Sequence, residues 1–402
     1  MTRKTMRDEH DHARVCMLAD SFYPIVGGGE SHSKLLSEYL CKVGTEVLVI
    51  TQLRVATSPK FESVNNVPIY RVAPRGRNRM GKYLMMLPAM LKLIQLRNHF
   101  DCIYVCGLRT LGAVAVVYGK IFGKTVVLRS ESCDEFLAAA MQAGAGPAAV
   151  RCAVRFYVSL RNRVLKSADA FVAISQAVHD EYLEAGIDPK KVQIIFNGID
   201  LDLFQPGDKN AERRRLGLPL DRKIFTYTGK LNRGKGLESL LRAWRSLAAE
   251  RDDVYLVLVG GGGFQYMDME SELKAFSAEN GLDRTVLFTG YTRDVASYLK
   301  ASDFFVIASE SEALCISLIE AMSCGLPSIA AATGGIVDYV EDGDNGRLVP
   351  VGDEAALLDA MRSFASEAQN LSAMGDKAQQ TATAKFGILS IAKQHQDLFD
   401  SL

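Results

Sequence analysis

Short apolar, β-branched runs alternate with longer helical patterns along almost the whole chain. In the first half these runs are residues 14–20, 46–51, 101–106, 124–129, 170–174 and 192–196. The alternation restarts in the second half with residues 223–229, 254–260, 286–290, 303–309, 327–331 and 346–349. Strands separated by helices favour parallel sheets that are covered on both faces. The sequence therefore predicts an α/β protein with two doubly wound, Rossmann-like sheets in tandem.

The length of the chain also indicates two domains. Its 402 residues are too many for one hydrophobic core and suit two domains of ordinary size. Residues 197–222 are rich in Asp, Pro, Gly and Arg, which is typical of a linker. We therefore expect an N-terminal domain over residues 1–200 and a C-terminal domain over residues 201–385, followed by a helix in residues 386–402.

Charge is distributed unevenly, although the formal net charge is +0. Residues 1–200 hold 26 Lys and Arg against 18 Asp and Glu, whereas the remainder holds 21 against 29. A basic half indicates an anionic partner for that half. The eight cysteines form no C-x-x-C pair, which is typical of a reduced, cytosolic protein. Because no signal segment and no apolar stretch of about 20 residues is present, we expect a cytoplasmic protein that is soluble or peripheral on a membrane.

Two glycine-containing turns follow predicted strands, where open α/β sheets bind their ligands. Gly27, Gly28 and Gly29 precede a helix predicted from Glu30, so their backbone can contact a phosphate or form a flexible turn. This turn lacks the G-x-G-x-x-G spacing, which disfavours a dinucleotide cofactor. Residues 229–236 carry three cations, which can stabilise a departing diphosphate or remain solvated.

Two glutamates form the strongest motif of the second half. Glu312 follows a predicted strand and lies in a loop, and Glu320 comes about two turns along a helix. Positions eight apart on a helix share a face, so both carboxylates are expected to line one wall of a cleft. A carboxylate accepts two hydrogen bonds at once, which suits the neighbouring hydroxyls of ribose or a hexose. The N–H groups of Leu314, Cys315 and Ile316, at the helix start, can contact phosphate oxygens.

In this order and spacing, the motifs resemble those of the family 4 retaining glycosyltransferases. The matching positions are Pro24, Gly27 and Gly28; Asn197, Gly198, Ile199 and Asp200 with Phe204 and Pro206; Gly229, Lys235 and Gly236; Phe288, Thr289 and Gly290; Glu312 and Glu320; Gly334 and Gly335; Gly343 and Gly346. The resemblance implies the GT-B fold, with two Rossmann-like domains facing each other across a cleft and a terminal helix returning to the first domain.

The resemblance also implies a reaction. A sugar would pass from a UDP- or GDP-sugar to an acceptor with retention, without a metal or any cofactor besides that co-substrate, and without a nucleic-acid partner. The departing diphosphate itself would take the acceptor proton, so that the protein positions the reactants and neutralises charge.

The family implies a role for each motif residue. Glu320 would bind the ribose, Glu312 the transferred sugar, and Lys235 the diphosphate. Lys230 stands where the family usually has Arg, so that a point charge replaces a bidentate fork. Further donor contacts are expected at Gly28, Gly29, Gly229, Gly290, Leu314, Cys315 and Ile316.

The chain departs from the family after residues 124–129. Many members have a His there that faces the acceptor, whereas Glu131 falls nearest that position here. Its carboxylate can bond to the sugar or act as base on the acceptor, or it can cap a helix or pair with Arg129. Asp200 and Asp202 have D-x-D spacing, but they follow a turn, and we interpret them as a chance match rather than a metal site.

Two basic, apolar segments lie in the half expected to bind the acceptor. Residues 71–100 contain Arg71, Arg75, Arg77, Arg79, Lys82, Lys92 and Arg97 and no acid, and residues 150–166 contain Arg151, Arg155, Arg161, Arg163 and Lys166. Such segments can lie on an anionic membrane surface, or they are ordinary helices with a solvated basic face. The first alternative predicts a lipid-linked or cell-surface glycan acceptor at the cytosolic membrane face.

Other functions remain open at this point. A nucleotide-sugar epimerase or a sugar phosphorylase of GT-B fold is disfavoured by the paired glutamates and the Lys-Gly turn. A catalytically degenerate sugar-binding scaffold is disfavoured because Lys235, Glu312 and Glu320 are all present.

Overall fold

The structure, a computed structural model, describes residues 12–25, 27–76, 80–133, 135–136, 148–262, 267–367 and 371–402. The chain forms two compact units: unit 1 comprises Met1–Gly198 and Ile388–Leu402, and unit 2 comprises Ile199–Gly387. Each unit contains a mainly parallel sheet with helices between its strands. The predicted fold class of two doubly wound, Rossmann-like domains is therefore confirmed.

The described residues of unit 1 form an eight-stranded sheet. Its strands are β1 (Val15–Ala19), β2 (Val47–Gln52), β3 (Phe61–Val64), β4 (Val67–Val72), β5 (Cys102–Cys106), β6 (Thr125–Arg129), β7 (Ala170–Ala173) and β8 (Val192–Ile194). They lie in the order β3-β4-β2-β1-β5-β6-β7-β8, and β3 alone runs antiparallel, against β4. This hairpin is not predictable from the sequence, because β3 is a short, largely exposed edge strand without an apolar run.

Helices cover both faces of this sheet. They are α1 (Gly28–Lys42), α2 (Gly81–Leu84), α3 (Met86–Gln95), α4 (Leu108–Phe122), α5 (Ala148–Leu165) and α6 (Gln176–Glu184). The chain moves toward the β3 edge from β1 to β2, and toward the β8 edge from β4 through β5 and β6 to β7. Because parallel crossovers are right-handed, α1 lies on one face of the sheet, and α3, α4 and α5 lie on the other.

The sheet of unit 2 is parallel throughout. Its strands are β9 (Lys223–Thr228), β10 (Val254–Val259), β11 (Val286–Gly290), β12 (Phe304–Ile307), β13 (Ser328–Ala331) and β14 (Arg347–Val349), in the order β11-β10-β9-β12-β13-β14. The chain progresses in one direction from β9 and in the other from β12. The two central strands therefore flank a topological switch point, where open sheets bind ligands beyond the carboxyl ends of the strands.

The helices of unit 2 are α7 (Lys209–Leu216), α8 (Leu237–Glu250), α9 (Glu270–Glu279), α10 (Val295–Lys300), α11 (Ile316–Ser323), α12 (Glu354–Ser366) and α13 (Ser372–Phe386). Helix α7 corrects the prediction of a linker over residues 197–222. The Asp and Gly that indicated a linker are helix-end residues: Asp208 accepts a hydrogen bond from the Ala211 N–H at 3.0 Å, and Gly217 ends the helix in the left-handed region.

A terminal helix, α14 (Ile388–Ser401), belongs to unit 1. Its Ile391, Ala392 and Phe399 are buried in the same core cluster as residues of β1. The Tyr104 hydroxyl lies 3.0 Å from His395 Nε2, and Asp400 accepts a hydrogen bond from the Ala13 N–H at 2.8 Å. Unit 1 is thus built from both ends of the chain. Among the described residues, no helix combines the length and apolarity that crossing a membrane requires.

Candidate active site

Two loops meet at the switch point of unit 2, one after β9 and one after β12. The Glu310 N–H donates to the Gly234 carbonyl oxygen at 2.9 Å. Gly236 has a φ of +66°, and a Cβ at this position would collide with the backbone oxygen of Ala308. Only glycine suits both this backbone conformation and this close approach.

An ion pair joins the same two loops. Lys235 Nζ lies 2.7 Å from Glu312 Oε1, and the Ser309 hydroxyl donates to that oxygen at 2.8 Å. The exposed fractions of the two side chains are 32% for Lys235 and 12% for Glu312. Burial acts to lower the pKa of Lys235, but the adjacent Glu312 carboxylate more than offsets burial and leaves this pKa raised. The structure therefore holds a charged ammonium group, largely shielded from water, at the end of the sheet.

The loop after β13 completes this arrangement. The Gly335 N–H donates to the Glu312 carbonyl oxygen at 3.2 Å. Gly334, with a φ of +50°, lies so close that a Cβ would collide with this same oxygen. The Tyr339 hydroxyl donates to the Leu314 carbonyl oxygen at 2.8 Å. Together the loops after β9, β12 and β13 form what we call the strand-end site.

Helix α11 starts at this site. Its N-cap is Cys315, a non-glycine residue at a φ of +67°, and no side chain caps the helix. Leu314 and Cys315 are buried and Ile316 is half-buried, as expected for residues that would present backbone N–H groups rather than side chains. An uncapped helix start favours an anion.

The second glutamate lies on a different element from the first. Glu320 lies on α11 and Glu312 in the loop before that helix, as expected, so the two carboxylates do not share a helical face. The reason is that residues 312–315 form a loop that ends at the left-handed Cys315. Burial raises the pKa of Glu320 to about 8, and among the described residues no ion pair reaches its carboxylate.

Glycines also end the strands on the other side of β9. The Gly229 N–H donates to the Val259 carbonyl oxygen at 3.0 Å, and Gly260 packs directly on the Gly229 carbonyl group. Gly260 in turn bridges to Gly290 at the end of β11. Lys230 is exposed beside Gly229, and its carbonyl oxygen accepts a hydrogen bond from the Tyr227 hydroxyl at 2.9 Å.

In unit 1, Gly29 and Gly107 make room for the Glu131 carboxyl group. Gly29 follows Gly28 at the start of α1, which has no side-chain cap. A Cβ on Gly29 would lie 3.0 Å from the Glu131 carboxyl atoms, and one on Gly107, at the end of β5, would lie 3.5 Å from Glu131 Oε2. The helix start that sequence analysis offered to a phosphate therefore has a protein carboxyl group beside it.

A buried arginine forms an ion pair with the Glu131 carboxyl group. Arg129 is 1% exposed, and its Nη1 lies 3.7 Å from Glu131 Oε1, which is the pairing that the sequence left open. Although the residue Glu131 is exposed, the surrounding protein desolvates its carboxyl and raises the pKa to about 7, against the opposing effect of Arg129. The Glu131 carboxyl does not cap the loop; the Glu135 carboxylate does, because it accepts the Glu131 N–H at 2.9 Å and the Leu108 N–H at 3.0 Å.

In the part of the chain that the structure describes, no group of three or more His, Cys, Asp or Glu residues is arranged to hold a metal ion. Within the D-x-D sequence, Asp200 Oδ1 accepts the N–H groups of Asp202 and Leu203 at 3.0 and 3.2 Å. This aspartate therefore stabilises a turn.

Comparison with known families and structures identifies the class of protein. The model of the family "Glycosyltransferase Family 4" matches residues 26–203, and that of "Glycosyl transferases group 1" matches residues 208–381. The chain is a family 4 glycosyltransferase.

Two of the similar proteins carry the name D-inositol 3-phosphate glycosyltransferase. The chain is 31% identical over 246 residues to D-inositol 3-phosphate glycosyltransferase 2 of Catenulispora acidiphila, which is 59% of this chain and 57% of that protein. It is 34% identical over 167 residues to D-inositol 3-phosphate glycosyltransferase of Mycobacterium tuberculosis, which is 41% of this chain and 34% of that protein. The matches thus span about half or less of these relatives' own lengths.

Solved structures match the glycosyltransferase over nearly its whole length. Sucrose-phosphate synthase of Thermosynechococcus elongatus is 24% identical, with a TM-score of 0.80 over 96% of this chain and 98% of that one. HepE of Anabaena, solved with UDP and glucose, is 23% identical, with a TM-score of 0.78 over 97% of this chain and 100% of that one. These likenesses confirm the GT-B fold.

Some residues that stabilise the strand-end site of this glycosyltransferase carry no signal in the sequence. Ser309 and Tyr339 make their contacts through hydroxyl groups, and no motif marks either of them. Gly260 did carry a signal, because it ends a predicted strand at the same edge as Gly229 and Gly290.

Proposed function

We propose that this glycosyltransferase moves a sugar from a UDP- or GDP-sugar to an acceptor hydroxyl, with retention and without a metal ion. The observation that carries the proposal is the 2.7 Å pair between Lys235 and Glu312 at the switch point of unit 2. The Anabaena protein HepE was solved with UDP and glucose, which supports a UDP-sugar in particular.

Lys235 is the central diphosphate ligand in this proposal. An ammonium group has three N–H donors, and the structure engages one of them with Glu312. The remaining donors, the exposed Lys230 and the uncapped start of α11 then neutralise the diphosphate as the glycosidic bond breaks. Because Lys235 is partly shielded from water, its charge acts more strongly on the transition state than the charge of a fully exposed lysine would.

The two glutamate carboxylates bind hydroxyl groups of the donor in this proposal. Glu320 binds the ribose hydroxyls, and Glu312 binds the transferred sugar while it orients Lys235. Backbone contacts come from the strand-end glycines Gly229 and Gly290. Gly28 and Gly29 at the start of α1 are assigned to the diphosphate or sugar-phosphate, with Glu131 protonated or engaged by the acceptor when they bind it.

Retention follows from substitution on one face of the sugar. The bond from the anomeric carbon to the diphosphate oxygen breaks, the acceptor oxygen bonds to the same face, and the acceptor proton passes to the diphosphate. Glu131 hydrogen-bonds to the sugar or to the acceptor hydroxyl, in place of the family's His. The protein contributes orientation and charge stabilisation rather than a nucleophile.

The acceptor that we propose is anionic. The excess of Lys and Arg in residues 1–200 favours a lipid-linked or cell-surface glycan intermediate, reached by peripheral association with the cytosolic face of the membrane. A soluble phosphorylated polyol is a second candidate, because the similar actinobacterial proteins carry the name D-inositol 3-phosphate glycosyltransferase. Turnover assays with each class of acceptor distinguish them.

The deciding experiment combines donor binding with turnover. UDP-, GDP- and ADP-sugars are screened for a rise in melting temperature, since a ligand that binds the folded state stabilises it. Proton NMR of the product then shows whether the anomeric configuration is retained, and activity is measured with EDTA. Donor incubated without acceptor should give no isomerised sugar, and an isomerised sugar would instead indicate an epimerase.

Replacing Lys235 tests the role of its ion pair with Glu312. K235A should lower turnover by roughly 100-fold or more, because it removes a charge that acts on the leaving group. The matched control is K274A, which removes an exposed lysine of unit 2 that also lies 2.7 Å from a glutamate, Glu270. Equal turnover of the two variants would overturn the assignment of the site.

A further inference from the structure

Four of the described helices of unit 1 contain no acidic residue. Helices α2, α3, α4 and α5 lack Asp and Glu entirely. The basic residues within them or up to two residues after their last residue are Lys82, Lys92, Arg97, Arg109, Lys120, Lys124, Arg151, Arg155, Arg161, Arg163 and Lys166. By contrast, α1 contains Glu30 and Glu38, and α14 contains Asp397 and Asp400. Basic charge is thus concentrated on α2 to α5, whereas α6, the next described helix along the chain, contains Asp180, Glu181 and Glu184.

The outward sides of these helices are also apolar. Of the twenty large hydrophobic residues that are exposed among the described residues, eleven lie between Met80 and Leu160. The most exposed are Phe156 at 74%, Leu87 at 68% and Ile121 at 66%. Leu91 follows Leu87, and Leu160 follows Phe156, by four residues, so each pair lies on one line along its helix. These residues are in addition to the core-facing residues of the same helices.

Contacts between the helices make the outward sides one surface. The Tyr118 hydroxyl of α4 donates to the Leu93 carbonyl oxygen of α3 at 3.0 Å. On the other side of α4, Gly112 packs against Leu165 of α5. Because α3, α4 and α5 lie side by side on the same face of the sheet, their exposed apolar residues point away from it in the same general direction. We call this surface the basic apolar face.

The positive charge of this face is only partly neutralised within the protein. Lys120 lies 3.5 Å from Asp169, and Lys124 lies 3.8 Å from Asp101. Arg97 and Arg163 are exposed and form no ion pair with any described residue. Exposed apolar side chains on neighbouring helices that also carry uncompensated cations indicate a partner that is both apolar and anionic.

We propose that the basic apolar face docks on the surface of a bilayer that contains anionic phospholipids. The leucine, isoleucine and phenylalanine side chains enter the headgroup boundary, while Lys and Arg contact the anionic headgroups. A second copy of the chain fits less well, because two acid-free basic faces would repel each other. The inference extends the proposed membrane-side acceptor, but it needs neither donor binding nor turnover.

Vesicle co-sedimentation with the full chain tests the inference. The protein should bind vesicles of equal parts phosphatidylcholine and phosphatidylglycerol at low salt, bind less at high salt, and fail to bind phosphatidylcholine alone. F156Q/L160Q and L87Q/L91Q should each lower the partition constant by roughly tenfold, because they remove apolar side chains from the interface. The matched control L203Q/L220Q changes two exposed leucines of unit 2 and should bind like the wild type.

Donor binding separates this inference from the proposed enzyme function. Each variant should keep the melting temperature of the wild type without ligand, which shows that it is folded, and K235A should still bind anionic vesicles. The inference is overturned if the wild type does not bind anionic vesicles at low salt, or if the face variants bind as well as L203Q/L220Q. It is also overturned if the face variants only abolish a dimer seen by light scattering.

Discussion

Glu320 is the group whose replacement tests the site most sharply. Part of its side chain reaches solvent, but the surrounding protein desolvates its carboxyl and raises the pKa to about 8. Replacement by Gln keeps the shape of the side chain and removes the ionisation. E320Q should therefore stabilise the ligand-free protein at neutral pH, although it removes a proposed donor ligand.

The sign and size of the change in the free energy of unfolding follow from the pKa of Glu320. In the unfolded chain this carboxyl loses its proton near pH 4.5, whereas in the folded protein it keeps the proton until about pH 8. The folded state thus binds more protons between these values, so the free energy of unfolding falls as pH rises through that window. Each pKa unit corresponds to ~1.36 kcal/mol. Allowing for the partial exposure, the wild type should lose about 2–3 kcal/mol by pH 7 from this group alone.

Urea unfolding of wild type and E320Q between pH 4.5 and 8.5 measures this effect. The stability of E320Q relative to wild type should grow with pH and level off above pH 8. E279Q is the matched control, because it removes an exposed glutamate of the same unit. A difference between wild type and E320Q that stays constant across the range would refute the reasoning.

Donor binding provides a second readout of the same carboxyl. If ribose hydroxyls donate to Glu320, they favour its ionised form, so UDP binding at pH 7 should release up to one proton. Calorimetry in buffers of different ionisation enthalpy measures this release, and E320Q should abolish it and weaken UDP binding. Proton release by E320Q equal to that of wild type would show that another group is responsible.

Two further outcomes are expected at the backbone and at Glu131. Gly334→Ala should weaken UDP binding by roughly tenfold or more, because its Cβ displaces the Glu312 backbone. The control Gly343→Ala, at a φ of +78° with open space around it, should strain the backbone without this loss of affinity. Equal UDP affinities of the two variants, measured by titration calorimetry, would contradict the assignment. In a pH–rate profile, kcat/KM of the wild type should rise through about pH 7 as Glu131 ionises, and E131Q should lose this step, so a step that persists would exclude Glu131.

The fold was largely predictable because the strands of a parallel sheet are buried on both faces and appear as short apolar runs. The exceptions are the elements that lack this property. Strand β3 lies at an edge and is mostly exposed, and α7 has few apolar residues, so neither produces a recognisable run. Both were missed or interpreted as a linker for that reason.

The site was predictable only in part. Lys235 and Glu312 are 77 residues apart, yet they follow two neighbouring parallel strands at the centre of one sheet. Both residues therefore lie at the carboxyl-end edge of that sheet. The relation between Glu312 and Glu320 was not predictable, because nothing in the sequence indicates that Cys315 adopts a left-handed conformation that delays the helix. The desolvation of Glu320 likewise depends on surroundings that spacing does not reveal.

The position of α14 bears on the synthesis of this protein. Unit 1 begins with the first strand, but its core requires Ile391 and Phe399, which the ribosome adds only after all of unit 2. At translation speeds of roughly 5–20 residues per second, the interval is on the order of 10–40 s. During that time the nascent chain carries an open apolar groove beside α1, so we expect chaperones to engage the incomplete first unit until the last helix emerges.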